Sequence, residues 1–271
     1  MNSKIFILHG KQDEFVAISS SEIIDTIILG NDIDIKYAIV SGNFDMRRIV
    51  SANRKDGLAT TITGNITINN SEIMGNVCLE YLCFDGIVSF EASVFNGEAD
   101  FRSSIFNNGI SCKSTTFNGN VDFRTSIFNH DTNFAECKFL RGAKFKSCKF
   151  VGNADFDTAS FGIESEICSI ANSVYFDTAE FSKDVSFNAA NFNTNVFFSA
   201  VVFNGEANFK SAKFKGIADF RATTFGGNLF FIDINISDGP CIPEGKIDLS
   251  FATLKKYAVF SNTSFGMCII R

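Results

Sequence analysis

One interval constrains this chain more than any other feature. From Ile62 to Phe231 a large apolar residue recurs at alternating steps of five and six. The series runs through Phe90, Phe95, Phe101 and Phe106, and again through Phe117, Phe123, Phe128, Phe134 and Phe139. Cys112 fills the one slot without a large side chain, and a step of three from Ile167 to Ile170 interrupts the rhythm. Two steps make an 11-residue unit. Eleven residues also make three α-turns, but residues five or six apart are about 120–140° from facing the same way on a helix. The phenylalanines would wrap around such a helix, and the Gly, Asn, Ser and Thr inside each unit are poor mid-helix residues.

Short strands suit the pattern better. Residues i and i−2 share one face of a strand. Two before each slot stands a small or β-branched residue, such as Val88, Ala99, Val121 and Ala143, or Ser93, Ser104, Thr115 and Cys137. The positions on either side of a slot are mostly Asp, Arg, Lys, Asn, Thr and Ser. Each unit therefore offers one large and one small residue to an interior and polar residues to water. The chain then turns, often at Asn-Gly, as at Asn96-Gly97, Asn118-Gly119 and Asn204-Gly205. Units this short cannot bury a face alone and must stack on copies of themselves.

Ala99-Asp100-Phe101-Arg102-Ser103 and Ala154-Asp155-Phe156-Asp157-Thr158 carry a family likeness. A small residue, a polar one, a large apolar centre and two further polar or small residues resemble the pentapeptide-repeat family. The resemblance covers about two thirds of the chain. It implies an all-β fold: a right-handed quadrilateral parallel β-helix, a solenoid with four repeats per coil. The centre here is Phe rather than Leu and every second unit has a sixth residue, so a coil of about 22 residues is expected.

The expected organisation follows the register. Residues 1–61 are Ile-rich and off register, giving irregular N-terminal coils or a cap; Ser19 and Glu22 could form a capping box for a short helix. Ile28, Ile33, Ile39, Phe44 and Val50 suggest the starting coils. Residues 62–236 form the regular β-helix, with a tightened corner or kink near 162–175 where two residues are missing from the rhythm. Residues 237–248 hold both prolines and predict a loop. Residues 249–271 form a final coil and a C-terminal end without a polar cap, which suggests homodimerisation there. No apolar run approaches the length of a membrane span.

Little points to catalysis. There are two histidines, His9 and His130, and no Cys-x-x-Cys among the eight cysteines. Cys112, Cys137 and Cys148 occupy interior positions, which implies free thiols in a reducing, cytoplasmic compartment. No cofactor and no metal site are expected. The net charge of −6 is too mild to define a partner, but its distribution is uneven. Acids dominate from Asp56 to Asp100, and five bases fall between Lys138 and Lys149. With 22-residue coils Arg102, Arg124 and Lys146 stack in one column headed by Glu80, and Lys210 is expected on the same wall. These four cations are the candidate partner-binding residues. The favoured function is a non-enzymatic protein-interaction or structural scaffold whose partner is another protein, without direct nucleic-acid binding. The alternative that the resemblance offers is a DNA-mimicking topoisomerase-binding protein. That role needs acids along the whole rod, whereas Phe84 to Phe231 carries 16 acids and 13 bases.

Overall fold

A computed structural model describes residues 4–47, 60–163, 172–236, 246–262 and 267–269. The two-residue parity is visible at every rung. Ala99 and Phe101 are buried, while Asp100 between them and Arg102 beyond keep contact with water. Short strands of this kind line four walls, which are parallel sheets of eleven, ten, ten and nine strands in chain order. One coil runs through Ile66–Asn69 on the first wall, Glu72–Ile73 on the second, Val77–Cys78 on the third and Leu82–Phe84 on the fourth. Phe95 lies beside Phe117 and Phe84 beside Phe106, so one coil is 22 residues. The architecture is a quadrilateral parallel β-helix. At about 4.8 Å per rung, eleven strands make a rod roughly 50 Å long.

The interior is filled by ring ladders. Phe101 and Phe123 stack with centroids 4.7 Å apart and planes 6° apart. Rings of different walls meet edge to face, as Phe145 does with Phe156 at 5.5 Å and 85°. Both geometries suit the ring quadrupole. Each buried Phe contributes about 1.5–3 kcal/mol through burial.

The two step lengths make two kinds of corner. At the five-residue step the chain makes a type II turn: Ser93 N–H donates to the Phe90 carbonyl at 3.2 Å, and Ala92 between them has φ +52°. The residue closing this turn often carries a hydroxyl or thiol that donates to a carbonyl of the preceding coil. Ser104 reaches Leu79, Ser126 reaches Phe101 and Thr115 reaches Phe90, each at 2.7 Å. That requirement accounts for Ser and Thr inside an apolar core. The six-residue step carries the Asn-Gly pairs. A Cβ on Gly119 would lie 2.4 Å from the Gly97 carbonyl oxygen, so stacking of corner on corner demands glycine there.

Three coils are longer than the rest. The register is 33 residues from Ile33 to Ile66, 31 from Ala143 to Val174 and 29 from Ala218 to Ile247. At the interruption in the middle of the rod the pairing therefore counts nine residues more than a 22-residue coil, where the spacing of slots suggested two fewer. The walls resume in alignment, with Phe145 stacked on Phe176 and Phe161 on Phe192. Ile167, Ile170 and most of the expected kink lie outside the described residues, as do 48–59 and most of the proline-containing segment.

At the N-terminal end strands Ile5–His9 and Val16–Ser19 begin the first and second walls. The helix Ser20–Ile28 follows, where the next two walls would otherwise start. Its capping box is formed: Glu22 N–H donates to Ser19 Oγ at 3.3 Å, and Ser19 N–H donates to Glu22 Oε2 at 3.1 Å. Ile23 and Ile27 turn inward. The register suggested by Ile28, Ile33, Ile39 and Phe44 is corrected here. Ile28 belongs to the helix, Ile39 faces out, and the positions continuous with the Phe columns are Ile35, Val40 and Met46. The strands in this part have up to five residues and follow a strand period, so spacings of five and six between isoleucines are coincidental. Near the other end Leu254 and Phe260 do continue the register, and Phe251 and Tyr257 are 74% and 80% exposed. Among the described residues no helix is long and apolar enough to cross a membrane.

Candidate functional site: the third wall

The third wall is built from a repeated tripeptide. In Asp100-Phe101-Arg102 the Phe is buried and the two flanking charges lie side by side outside. The Asp100 carboxylate accepts the Arg102 backbone N–H at 3.1 Å, Nε at 2.9 Å and Nη2 at 2.6 Å. Asp122 and Arg124 repeat this one coil on, and Asp219 and Arg221 repeat it further along. Arg102 also reaches Glu80 in the preceding coil at 2.7 Å. Hydrogen bonds to Asp100 raise the Arg102 guanidinium above its ordinary pKa, and those to Asp122 do the same for Arg124. Burial alone would push the Asp219 carboxyl up, but the bonds from Arg221 outweigh it and hold the group below its usual range.

The registers align Arg47, Glu80, Arg102, Arg124, Lys146, Asp177, Ser199 and Arg221 in one outward column. Arg102, Arg124 and Lys146 are thus brought together. With Ser103, Thr125 and Ser147 they line a surface groove of about 360 Å³ headed by Tyr81. The hydroxyls continue along the rod, with Ser103 and Thr125 2.8 Å apart and Ser147 and Thr178 2.7 Å apart. Arg102 and Arg124 are paired within the wall. At Lys146 the pattern changes, because Lys144 stands where the previous two coils have Asp. Further along, Tyr175 and Phe197 occupy that outward row and stack at 5.1 Å. Burial raises the pKa of Asp177, and the nearby Lys146 partly opposes it.

Lys210 does not join this column. It lies on the first wall beside Asn188, in the row that contains Glu91, Lys113 and Asp157. The nine residues added in the long coil shift every later residue relative to a count of slots, and the cation that reaches the third wall is Arg221. The five bases between Lys138 and Lys149 also separate. Lys138 is on the second wall, Lys144 and Lys146 are on the third, and Lys149 is on the fourth, 3.8 Å from Glu180. Asp122, Lys144, Tyr175, Phe197 and Arg221 were not singled out from the sequence. The recurring Asp-Phe-Arg was the signal available for the first and last of these.

The other candidates are structural. Cys112, Cys137 and Cys148 are buried free thiols, and burial pushes all three well above the ordinary thiol range. Cys137 and Cys148 donate to carbonyls in the way that Ser104 and Ser126 do. Asn118 donates to Asn96 at 2.8 Å and Asn129 to Asn107 at 2.7 Å, forming amide ladders along the corners. Among the described residues no group of His, Cys, Asp and Glu is assembled that could hold a metal ion.

Four polar walls around stacked 22-residue coils define a β-helical repeat protein. A family model, pentapeptide repeats (9 copies), matches residues 84–127. With that match and the Phe spacing that continues beyond it, the chain belongs to the pentapeptide-repeat family. Among curated proteins no match to the chain was found.

Proposed function

We propose that the chain is a non-enzymatic scaffold that docks another protein on its third wall. The observation behind this is the groove along Arg102, Arg124 and Lys146, with hydroxyls between the cations. Its character is graded along the rod. One end holds charges already matched within the wall, and the other presents Lys144 and Lys146 beside the stacked pair Tyr175 and Phe197. Aromatic residues are common anchors of protein interfaces, and rim charges set partner choice. Within this reading Lys146 makes contact with the partner directly, and Arg102 and Arg124 fix the shape and potential of the groove. Lys210, on the first wall, belongs to a separate surface. The free buried thiols favour a reducing compartment. DNA mimicry draws less support, because Asp100, Asp122 and Asp219 are each bonded to an arginine and do not form a row of uncompensated acids.

The test is affinity capture from the native host's extract with wild type and with Arg102→Gln, Arg124→Gln and Lys146→Gln combined. Thermal melts check that both baits are folded. A specific protein held by wild type and lost by the variant supports the proposal. Equal capture by both baits contradicts it, and a topoisomerase held equally by both would favour mimicry.

A further inference from the structure

The strand Ile5–His9 is an edge without the usual protection. It is the terminal strand of the eleven-stranded wall and pairs only with Asp32–Lys36. It has five residues, whereas most strands of the rod have two. Its sequence is Ile-Phe-Ile-Leu-His, without proline, lysine or carboxylate. Exposed edges normally carry charge, proline or a covering element, because a free row of N–H and C=O groups invites pairing. The helix Ser20–Ile28 caps this end but follows the second wall in the chain, and no described residue pairs with the open side of Ile5–His9.

The hydrogen-bond parity of this edge is determined. Asp32 N–H donates to the Lys4 carbonyl and Gly10 N–H to the Lys36 carbonyl. Bonding residues alternate along a parallel ladder, so Phe6 and Leu8 serve the inner neighbour. The N–H and C=O groups of Ile5, Ile7 and His9 therefore point to the open side. The Ile5 and Ile7 side chains are 59% and 61% exposed, and Ile28 and Leu29 of the capping helix are also exposed.

We propose that Ile5–His9 joins two copies of this chain, edge to edge and antiparallel about Ile7. A two-fold axis perpendicular to the wall reverses the strand onto itself, so an isologous contact here is antiparallel. The three residues with outward-pointing backbone groups are centred on Ile7. In that register Ile7 faces the partner's Ile7, and Ile5 faces the partner's His9. These are the hydrogen-bonded pairs of an antiparallel ladder, with each free donor opposite a free acceptor. The strand has no permanently charged side chain, so no like charges meet, and β-branched residues gain cross-strand neighbours. The two first walls become one continuous sheet.

Light scattering after size exclusion tests this on the full chain, with two variants. Ile7→Pro removes one outward N–H and no bond to Asp32–Lys36, a position where an edge strand tolerates proline. Ile7→Cys places two thiols across the axis, within the Cα separation that a disulfide spans. The expected result is a wild-type mass of two chains, a one-chain mass for Ile7→Pro with an unchanged melting temperature, and a disulfide joining the substituted positions of Ile7→Cys after mild oxidation. If Ile7→Pro alters the melt, the Ile7→Cys cross-link decides. A monomeric wild type overturns the proposal. So does a dimer in which the Ile7→Cys chains fail to cross-link, which would move the joint elsewhere, for instance to the end that exposes Phe251 and Tyr257. Binding of a different protein's strand at this edge with no wild-type dimer also overturns it.

Discussion

Each rung of the rod settles the same problem: a wide side chain and a narrow one go in, and the polar residues around them bond locally. The outward residue before the Phe commonly ties down the backbone after it. Asp155 accepts the Asp157 N–H at 2.8 Å, as Asn133 and Asn208 in the same row accept from Ala135 and Lys210. Burial raises the Asp155 pKa above its ordinary value, the Asp157 N–H opposes this, and the Asp157 charge adds to it. Asn can make the same bond without ionising. Ionised Asp155 is therefore a burden that is absent below the unfolded-state pKa, about 3.9, and grows as pH rises through the higher folded value. Asp155→Asn should melt at or above wild type at neutral pH, with the gap closing below about pH 4. Melting curves across that range check it; a lower melting temperature for the variant at neutral pH contradicts it. At this scale much was legible in the sequence, because parity alone assigns Phe101 and Ala99 inward and Arg102 outward. Pairing partners were less so: Glu80 and Asp100 could be matched to Arg102 from spacing, but the tethers of Asp122 and Asp219 came only with the structure.

Elements in this molecule are corners and caps more than strands, since most strands have two residues. The Asn-Gly pairs were legible as turns, but the reason for glycine was not. It is the approach of the neighbouring coil, as between Gly119 and Gly97, and a single chain segment cannot reveal that. The N-terminal helix was legible through Ser19 and Glu22, although its isoleucines suit strands equally well. Tertiary packing decides between them: Ile23 and Ile27 point inward at the end of the rod. Ser19→Ala removes the Oγ acceptor of the capping box and should lower stability by about 1 kcal/mol. Denaturant unfolding checks this, and no change in midpoint would mean that packing alone holds the helix.

For the whole molecule, the decisive quantity is the register across the long coils. The 22-residue period was legible because it repeats; the longer coils were not, because each occurs once and leaves no rhythm to count. Their effect reaches far along the chain, moving Lys210 to the first wall and bringing Arg221 to the third. The candidate site was legible only as far as the period held: Arg102, Arg124 and Lys146 share a groove, and the residue beyond the interruption does not. The most direct measurement is therefore a cross-link across the interruption. The Ser147 and Thr178 hydroxyls are 2.7 Å apart although the residues are 31 positions apart in sequence. Ser147→Cys with Thr178→Cys, oxidised mildly and mapped by peptide mass, should yield a disulfide between those two positions in folded protein. The buried thiols, Cys148 among them, should stay reduced. If positions 147 and 178 do not link while the protein remains folded, the walls do not continue in this register, and the assignment of cations to the third wall beyond the interruption falls with it.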